Sequence, residues 1–337
     1  MCVSYLAAAS LWQVERFPAP GNGAQVLHTA RSVAADGPMA AAVLAALGQP
    51  ALLLANDTGD DASGTHVRDW LARFRVATTA KTRPGLATPQ IVVVGDDQDT
   101  RTMFPYLPGV AEGLARIDLE PLASAALAYI DCYQFMTALA ARAMAAARAA
   151  GAQILANLGG DPAAPEVLNA LAGHPHVVIQ TSIPEPSPGL ALATATEIQA
   201  RTGAEWTVVT AGTAGAVAAS STERLRIPAY RVRVQHTHCA GAAFSGGLTY
   251  GLLSNWPISN TLHLASASGA LRCERAHHEP LPTMEELDHL IRTNGLHEPH
   301  GGLAAVGQGQ EPANPETKMN VTIPLRASRC LCASCAI

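Results

Sequence analysis

The chain has 337 residues, 48% hydrophobic and 15% charged, with a formal net charge of −5. That content can build a sizeable buried core, and it excludes the basic field that draws nucleic acid. No membrane span is expected either, because apolar stretches such as 138–150 are rich in Ala and broken by Arg142 and Arg148, well short of about twenty apolar residues.

In chain order, Met1–Leu11 reads as a first buried strand. It has no basic region before it and no small-residue cleavage pattern after it, so the expected location is the cytoplasm. An extended stretch over 13–28 follows, then a helix over Met39–Leu47, a strand over Ala51–Leu54 and a helix over Thr65–Phe74. Thr88–Val94 and Arg101–Tyr106 read as two strands joined by the polar turn Gly95-Asp96-Asp97-Gln98-Asp99. Beyond them the pattern predicts a helix over Thr137–Ala149, a strand over Gln153–Asn157, a helix over Ala164–Leu171, a strand over His176–Gln180, a helix over Leu190–Arg201 and a strand over Trp206–Thr210. This alternation implies a doubly wound α/β fold: a mainly parallel sheet with helices on both faces. The hairpin interrupts it and is expected to project as a small β lid, built from about 13–30 and 88–106. Two-stranded lids are marginal alone, so a homodimer through the lid is the expected assembly. His277 and His278 fall in a polar loop after the last expected helix and receive no function. The expected domain spans 1–295, and 296–337 reads as a loosely ordered tail ending in Cys330, Cys332 and Cys335. Those three cysteines have ligand-like spacing without a matching Cys or His pair, and the odd total of seven cysteines is no disulfide framework.

Several motifs occur in a recognisable order. Asn56-Asp57-Thr58-Gly59-Asp60-Asp61-Ala62-Ser63-Gly64, preceded by a helix ending in Ala46-Leu47-Gly48, is followed by Thr88 and the hairpin closing at Arg101. Val208-Val209-Thr210-Ala211-Gly212-Thr213-Ala214-Gly215 is a strand running into a glycine turn, and His236-Thr237-His238-Cys239-Ala240-Gly241-Ala242-Ala243-Phe244-Ser245-Gly246-Gly247 opens a helix. Together they resemble, over roughly residues 1–295, the PfkB-type, ribokinase-like kinases of carbohydrates and nucleosides. The resemblance implies a three-layer α/β/α sandwich with a β lid, ATP and magnesium as cofactors, and a small-molecule ligand at the carboxyl edge of the sheet. It places Thr210, Gly212, Gly215, Ala240 and Gly241 at the nucleotide phosphates, where amides at a helix start face an anion. Met39, Asp61 and Arg101 fall at substrate positions, and Glu185 at a position linked indirectly to magnesium.

The departures from the family pattern share a direction. The aspartate that serves such kinases as base is Ala242, and the first glycine of the anion hole is Cys239. The early glycine pair and asparagine align with Ala34, Ala35 and Met39, the acid after the first strand is missing, and only the glutamate remains at Ser182-Ile183-Pro184-Glu185. A repurposed enzyme or pseudokinase is therefore the leading expectation. An active kinase using His236 or His238 as a substitute base is a second, and a non-catalytic dimeric binding protein a third. His236, His238 and Cys239 also admit a metal or nucleophile reading, against which stand ordinary strand-end histidines and a packed thiol. Asp60 and Asp61 are read as capping or turn residues.

Overall fold

The computed structural model describes residues 1–96, 101–184 and 188–293. The expected tail, its three cysteines, part of the hairpin turn and Glu185 lie outside the described residues. The first half of the chain contains β1 (Cys2–Val3), β2 (Ala7–Val14), β3 (Val26–Ala34), α1 (Asp36–Ala46), β4 (Leu52–Leu54), β5 (Thr58–Gly59), α2 (Ala62–Arg73), β6 (Ala77–Thr78), β7 (Thr82–Arg83), β8 (Gln90–Gly95), β9 (Arg101–Tyr106), α3 (Val110–Ala115), β10 (Leu127–Asp131) and α4 (Thr137–Ala149). The second contains β11 (Gln153–Asn157), α5 (Pro165–Leu171), β12 (Val177–Ser182), α6 (Ala191–Thr202), β13 (Trp206–Thr210), β14 (Ala216–Ala219), β15 (Arg224–Ile227), α7 (Ala240–Leu253), α8 (Ile258–Glu274) and α9 (Met284–Thr293). None of the described helices is long and apolar enough to cross a membrane.

The main sheet has nine strands in the order β15-β14-β13-β12-β11-β10-β1-β4-β6. It is parallel from β6 to β13, and β14 and β15 add an antiparallel edge. Its inner strands, β1 and β10 to β12, are largely apolar on both faces, as strands buried under two helical layers must be. In β10, Ala128 and Ile130 join the core with α4 and α5, while Leu127 and Tyr129 join the core with α1, α2, α7 and α8. The chain winds outward from β1 through β4 to β6, then returns to β10 on the other side of β1 and winds the opposite way. The crevice between β1 and β10 is thus the topological switch point, where side chains at the strand ends are left uncovered by a connection.

The lid is a separate four-stranded sheet, ordered β3-β2-β8-β9. Its extent corrects the sequence expectation in one respect: Met1–Leu11 is not one buried strand. The backbone leaves the main sheet after Val3, and Ala7–Val14 pairs antiparallel with β3 and parallel with β8. Ser4-Tyr5-Leu6 is fully buried, so no exposed loop marks the break. His277 and His278 lie between α8 and α9 and not after the last helix.

Where β3 turns into α1, Ala35 has φ 82° and ψ 159°. That region of backbone space is essentially restricted to glycine and costs an L-residue about 1–3 kcal/mol. The position is one where the family pattern has glycine, and the chain keeps the glycine geometry with an alanine. Ala35→Gly is expected to raise folding stability by about 1 kcal/mol, strain relief outweighing the added unfolded-state entropy. Urea unfolding midpoints check this, and a midpoint below that of the parent would show that Ala35 is unstrained.

Candidate functional site

At the switch point the strand ends carry polar groups. Residue pairing sets Asp131, Asn157 and Gln180 side by side on β10, β11 and β12, on the face toward α1 and α7. Ser4, just beyond β1, donates to Asp131 Oδ2 at 2.5 Å, and the Gly37 amide in the first turn of α1 donates to the same oxygen at 2.9 Å. The Tyr129 hydroxyl donates to Asp131 Oδ1 at 2.7 Å. Asn157 Nδ2 lies 2.9 Å from Asp131 Oδ1 and 2.8 Å from Asp36 Oδ2, joining the two acids. Burial and the neighbouring Asp36 charge push the Asp131 carboxyl up to about 7, and burial likewise raises Asp36. Two buried carboxyls around one amide thus hold a proton near neutral pH. Gly37 is required here, since a Cβ would come within 2.3 Å of Ser4 Cβ.

Sequence reasoning missed this cluster. Its signal was the apolar run Leu127–Ile130 ending in an acid, a buried strand closing on Asp131.

The start of α7 lies in the same cleft. Gly246 packs so tightly on α1 that a Cβ would sit 2.5 Å from Val43 Cβ and 3.1 Å from the Ala40 carbonyl oxygen. Ala242, one turn earlier on that face, is 0% exposed and part of the core. Cys239 caps the helix with φ 62° and ψ 21°, a left-handed conformation again suited to the glycine it replaces. Further along the sheet, Thr210 ends β13 and the turn after it closes through Gly215 N–H to the Gly212 carbonyl at 3.0 Å. Gly215 has φ 87° and no room for a Cβ, which would lie 2.2 Å from the Ile227 carbonyl oxygen.

The remaining expected site residues divide. Arg101, at the start of β9, reaches from the lid to the Thr237 carbonyl at 3.1 Å, so lid and α7 approach each other across the cleft. Asp61 is the N-cap of α2 and accepts from Gly64 N–H at 2.7 Å, Thr88 N–H at 2.9 Å and Thr88 Oγ1 at 2.6 Å. Burial works to raise its carboxyl, but these hydrogen bonds hold it below the usual carboxylate range. Its acceptors are committed to the fold, which corrects the substrate reading. Met39 is also corrected: it is 1% exposed and packed in the core around α1, with almost no side-chain surface left for a ligand.

His236 and His238 meet a residue that the sequence did not flag. Arg272, in the last turn of α8, is 3% exposed. Its guanidinium donates to His236 Nε2 at 3.1 Å and to His277 Nδ1 at 3.1 Å. The His236 and His277 rings stack at 3.8 Å, and His238 meets His277 edge-on at 5.6 Å. Burial, with the Arg272 charge beside it, takes His236 down to about 4; burial, then His236 and Arg272, takes His277 down to about 3. Burial and the same neighbours, His277 first, hold His238 well below its ordinary value. His236 and His277 thus act as neutral acceptors for a cation, and the lowered values leave His236 and His238 poorly suited to taking a proton from a substrate. A metal ion would sit beside a guanidinium, and among the described residues no three His, Cys, Asp or Glu side chains are grouped to hold one.

A doubly wound sheet, a β lid over its carboxyl edge, and two helix N-termini converging at the switch point define a ribokinase-like architecture. Residues 20–284 match the pfkB family of carbohydrate kinases, and the chain belongs to that family. Solved structures share the fold at low identity. A nucleoside kinase from Burkholderia thailandensis, solved with inosine, superposes with a TM-score of 0.69 at 18% identity, over 88% of this chain and 99% of that one. A protein from Agrobacterium tumefaciens assigned as a ribokinase gives 0.71 at 23%, over 86% and 96%. The ribokinase of Arabidopsis thaliana, solved with ribose and ATP, gives 0.66 at 16%, over 86% and 97%.

Two titration results should follow. Asp131, raised when folded, holds a proton that the unfolded chain releases from about pH 4 upward; the stability it contributes is present at low pH and lost as pH rises through about 7. Infrared difference spectra should show a protonated carboxyl band that disappears near pH 7 and is missing in Asp131→Asn. The histidines run the other way, because the unfolded chain takes up protons below about 6.5 and the folded cluster does not until about 4. His277→Gln, whose amide oxygen can still accept from Arg272, should therefore lose less stability than the parent between about pH 6.5 and 4.5.

Proposed function

We propose that the protein binds a phosphate-bearing nucleoside or sugar in the cleft between the lid and the carboxyl edge, and does not transfer phosphate by the family's aspartate route. The observation that carries this reading is Ala242: it aligns with the family's base, it is 0% exposed, and α1 packs against its helix face without a gap. A methyl group can neither take a proton nor touch a substrate hydroxyl from there. In this reading Thr210, the Gly212–Gly215 turn and the first turn of α7 hold phosphate, as helix-start amides and the positive end of a helix dipole do. Arg101 closes the lid on the ligand. ATP with magnesium, the cofactor pair of such kinases, would bind through those same groups.

The assembly in this proposal is a homodimer through the lid. Residue pairing puts Trp12 beside Val94, and Val92 beside Phe104 with Tyr106 two residues on, so these side chains share one face of the lid. Trp12 is 42%, Phe104 55% and Tyr106 62% exposed, an apolar face of the kind that marks an interface.

Calorimetric titration should show binding of ADP or of ribose 5-phosphate to the parent; no ADP binding would remove the nucleotide form of the proposal, and no binding of either at any accessible concentration would remove the proposal. Ala242→Asp should gain no phosphoryl transfer and should lose about 2 kcal/mol or more of stability from burying a carboxylate; a gain of turnover would show the lost base to be the sole defect. Sedimentation should give a dimer for the parent and a monomer for Phe104→Glu, and an unchanged assembly in the variant would exclude the lid as the interface.

A further inference from the structure

Arg272 breaks a general rule, since buried charges are paired. Its side chain is 3% exposed, its two terminal nitrogens are bonded to imidazoles that carry no charge, and its Nε is buried with no hydrogen-bond partner. His238 Nε2, beside it, is also buried and unpartnered. Among the described residues no carboxylate forms an ion pair with Arg272. The acid next along α8, Glu274, instead receives the Arg233 amide at 3.4 Å.

The groups facing this cluster from each neighbouring element are cationic or neutral. Arg101 comes from β9, His236, His238 and Cys239 from the segment entering α7, Cys273 from α8, and Arg275, His277 and His278 from the loop after it. The carboxyl end of α8 offsets part of the charge, as a helix terminus favours a cation in its last turn. It supplies roughly half an elementary charge against the full charge of Arg272, with Arg101 besides. The cluster also abuts the start of α7, since a Cβ on Gly269, three residues before Arg272, would lie 3.1 Å from the Ala240 carbonyl oxygen.

We infer that Arg272, His236, His238 and His277 form an anion-binding subsite beside the start of α7, which takes a phosphate group of the ligand and takes up a proton with it. This rests on the reading that the cleft binds a phosphate-bearing ligand, and adds the group that neutralises the buried arginine. An anion placed there supplies the missing countercharge and opposes the effect that holds the imidazoles neutral, so protonation and binding favour each other. The chemistry fits a nucleotide phosphate or a sugar phosphate equally.

Sulfate is the probe, because its own charge is constant between about pH 6 and 8. Calorimetry on the full chain should show sulfate binding that is severalfold tighter at about pH 6 than at about pH 8. Arg272→Met should weaken it by about tenfold or more. The same variant without sulfate should unfold no earlier than the parent, because an unpaired buried cation has been removed. His277→Gln retains an acceptor for Arg272 and serves as the second variant should Arg272→Met fail to fold; it should weaken sulfate binding and flatten its pH dependence. Displacement of sulfate by AMP or by ribose 5-phosphate would support the subsite and identify its source. Absence of sulfate binding in the parent, or binding unchanged in both variants, would overturn the inference. Sulfate bound through Arg272 in a protein that never binds ADP would uphold the subsite and count against the nucleotide reading alone.

Discussion

The contact on which the rest depends is the close approach of α1 and α7 over the β1–β10 crevice. Gly246 lies against Val43 and the Ala40 carbonyl with no space for a Cβ, so the two helices run together with their N-termini at the carboxyl edge of the sheet. That approach fixes Asp36 and Gly37 over Asp131, and it fixes Cys239 at the entrance of α7. Any larger residue at 246 would separate the helices and open the acid cluster to water. The lid completes the arrangement, since Arg101 reaches across to Thr237.

Held in that frame, the charges have moved rather than vanished. The α7 position at which the family carries an acid is a buried methyl group, while two acids lie on the facing elements, α1 and β10, and share an amide. On the other side of the α7 start, a buried arginine is surrounded by neutral imidazoles. Ala35 and Cys239 keep glycine-like backbone in spite of their side chains. The backbone geometry of this helix start has therefore outlasted the residue types that usually accompany it.

Much of the fold was legible because it rests on local periodicity. The strands Gln153–Asn157 and Trp206–Thr210, the return strand Arg101–Tyr106 and the helix Thr137–Ala149 carry their boundaries in their own residues. The opening stretch was not legible, since Ser4-Tyr5-Leu6 is as buried as the strands on either side and holds no Gly, Pro or charge to mark the passage from main sheet to lid. Met39 was misplaced for a related reason: alignment finds the position, but only the packing of the folded chain shows that its side chain is taken up by the core. The acid cluster and the arginine subsite were hidden by distance along the chain. Asp36 and Asn157 are 121 residues apart, and Arg272 and His236 are 36 apart, so only the folded sheet brings them together. His277 looked like a loop residue and turns out to stack on His236.

The most direct test of the account is a phosphorus NMR experiment with protein in excess over ATP and magnesium, in the presence of ribose or inosine. Nucleotide resonances should shift or broaden on binding while the γ-phosphoryl signal persists over hours. Conversion to ADP with a new phosphomonoester signal within that time would contradict it, and would show that the cleft still transfers phosphate without an acid at Ala242.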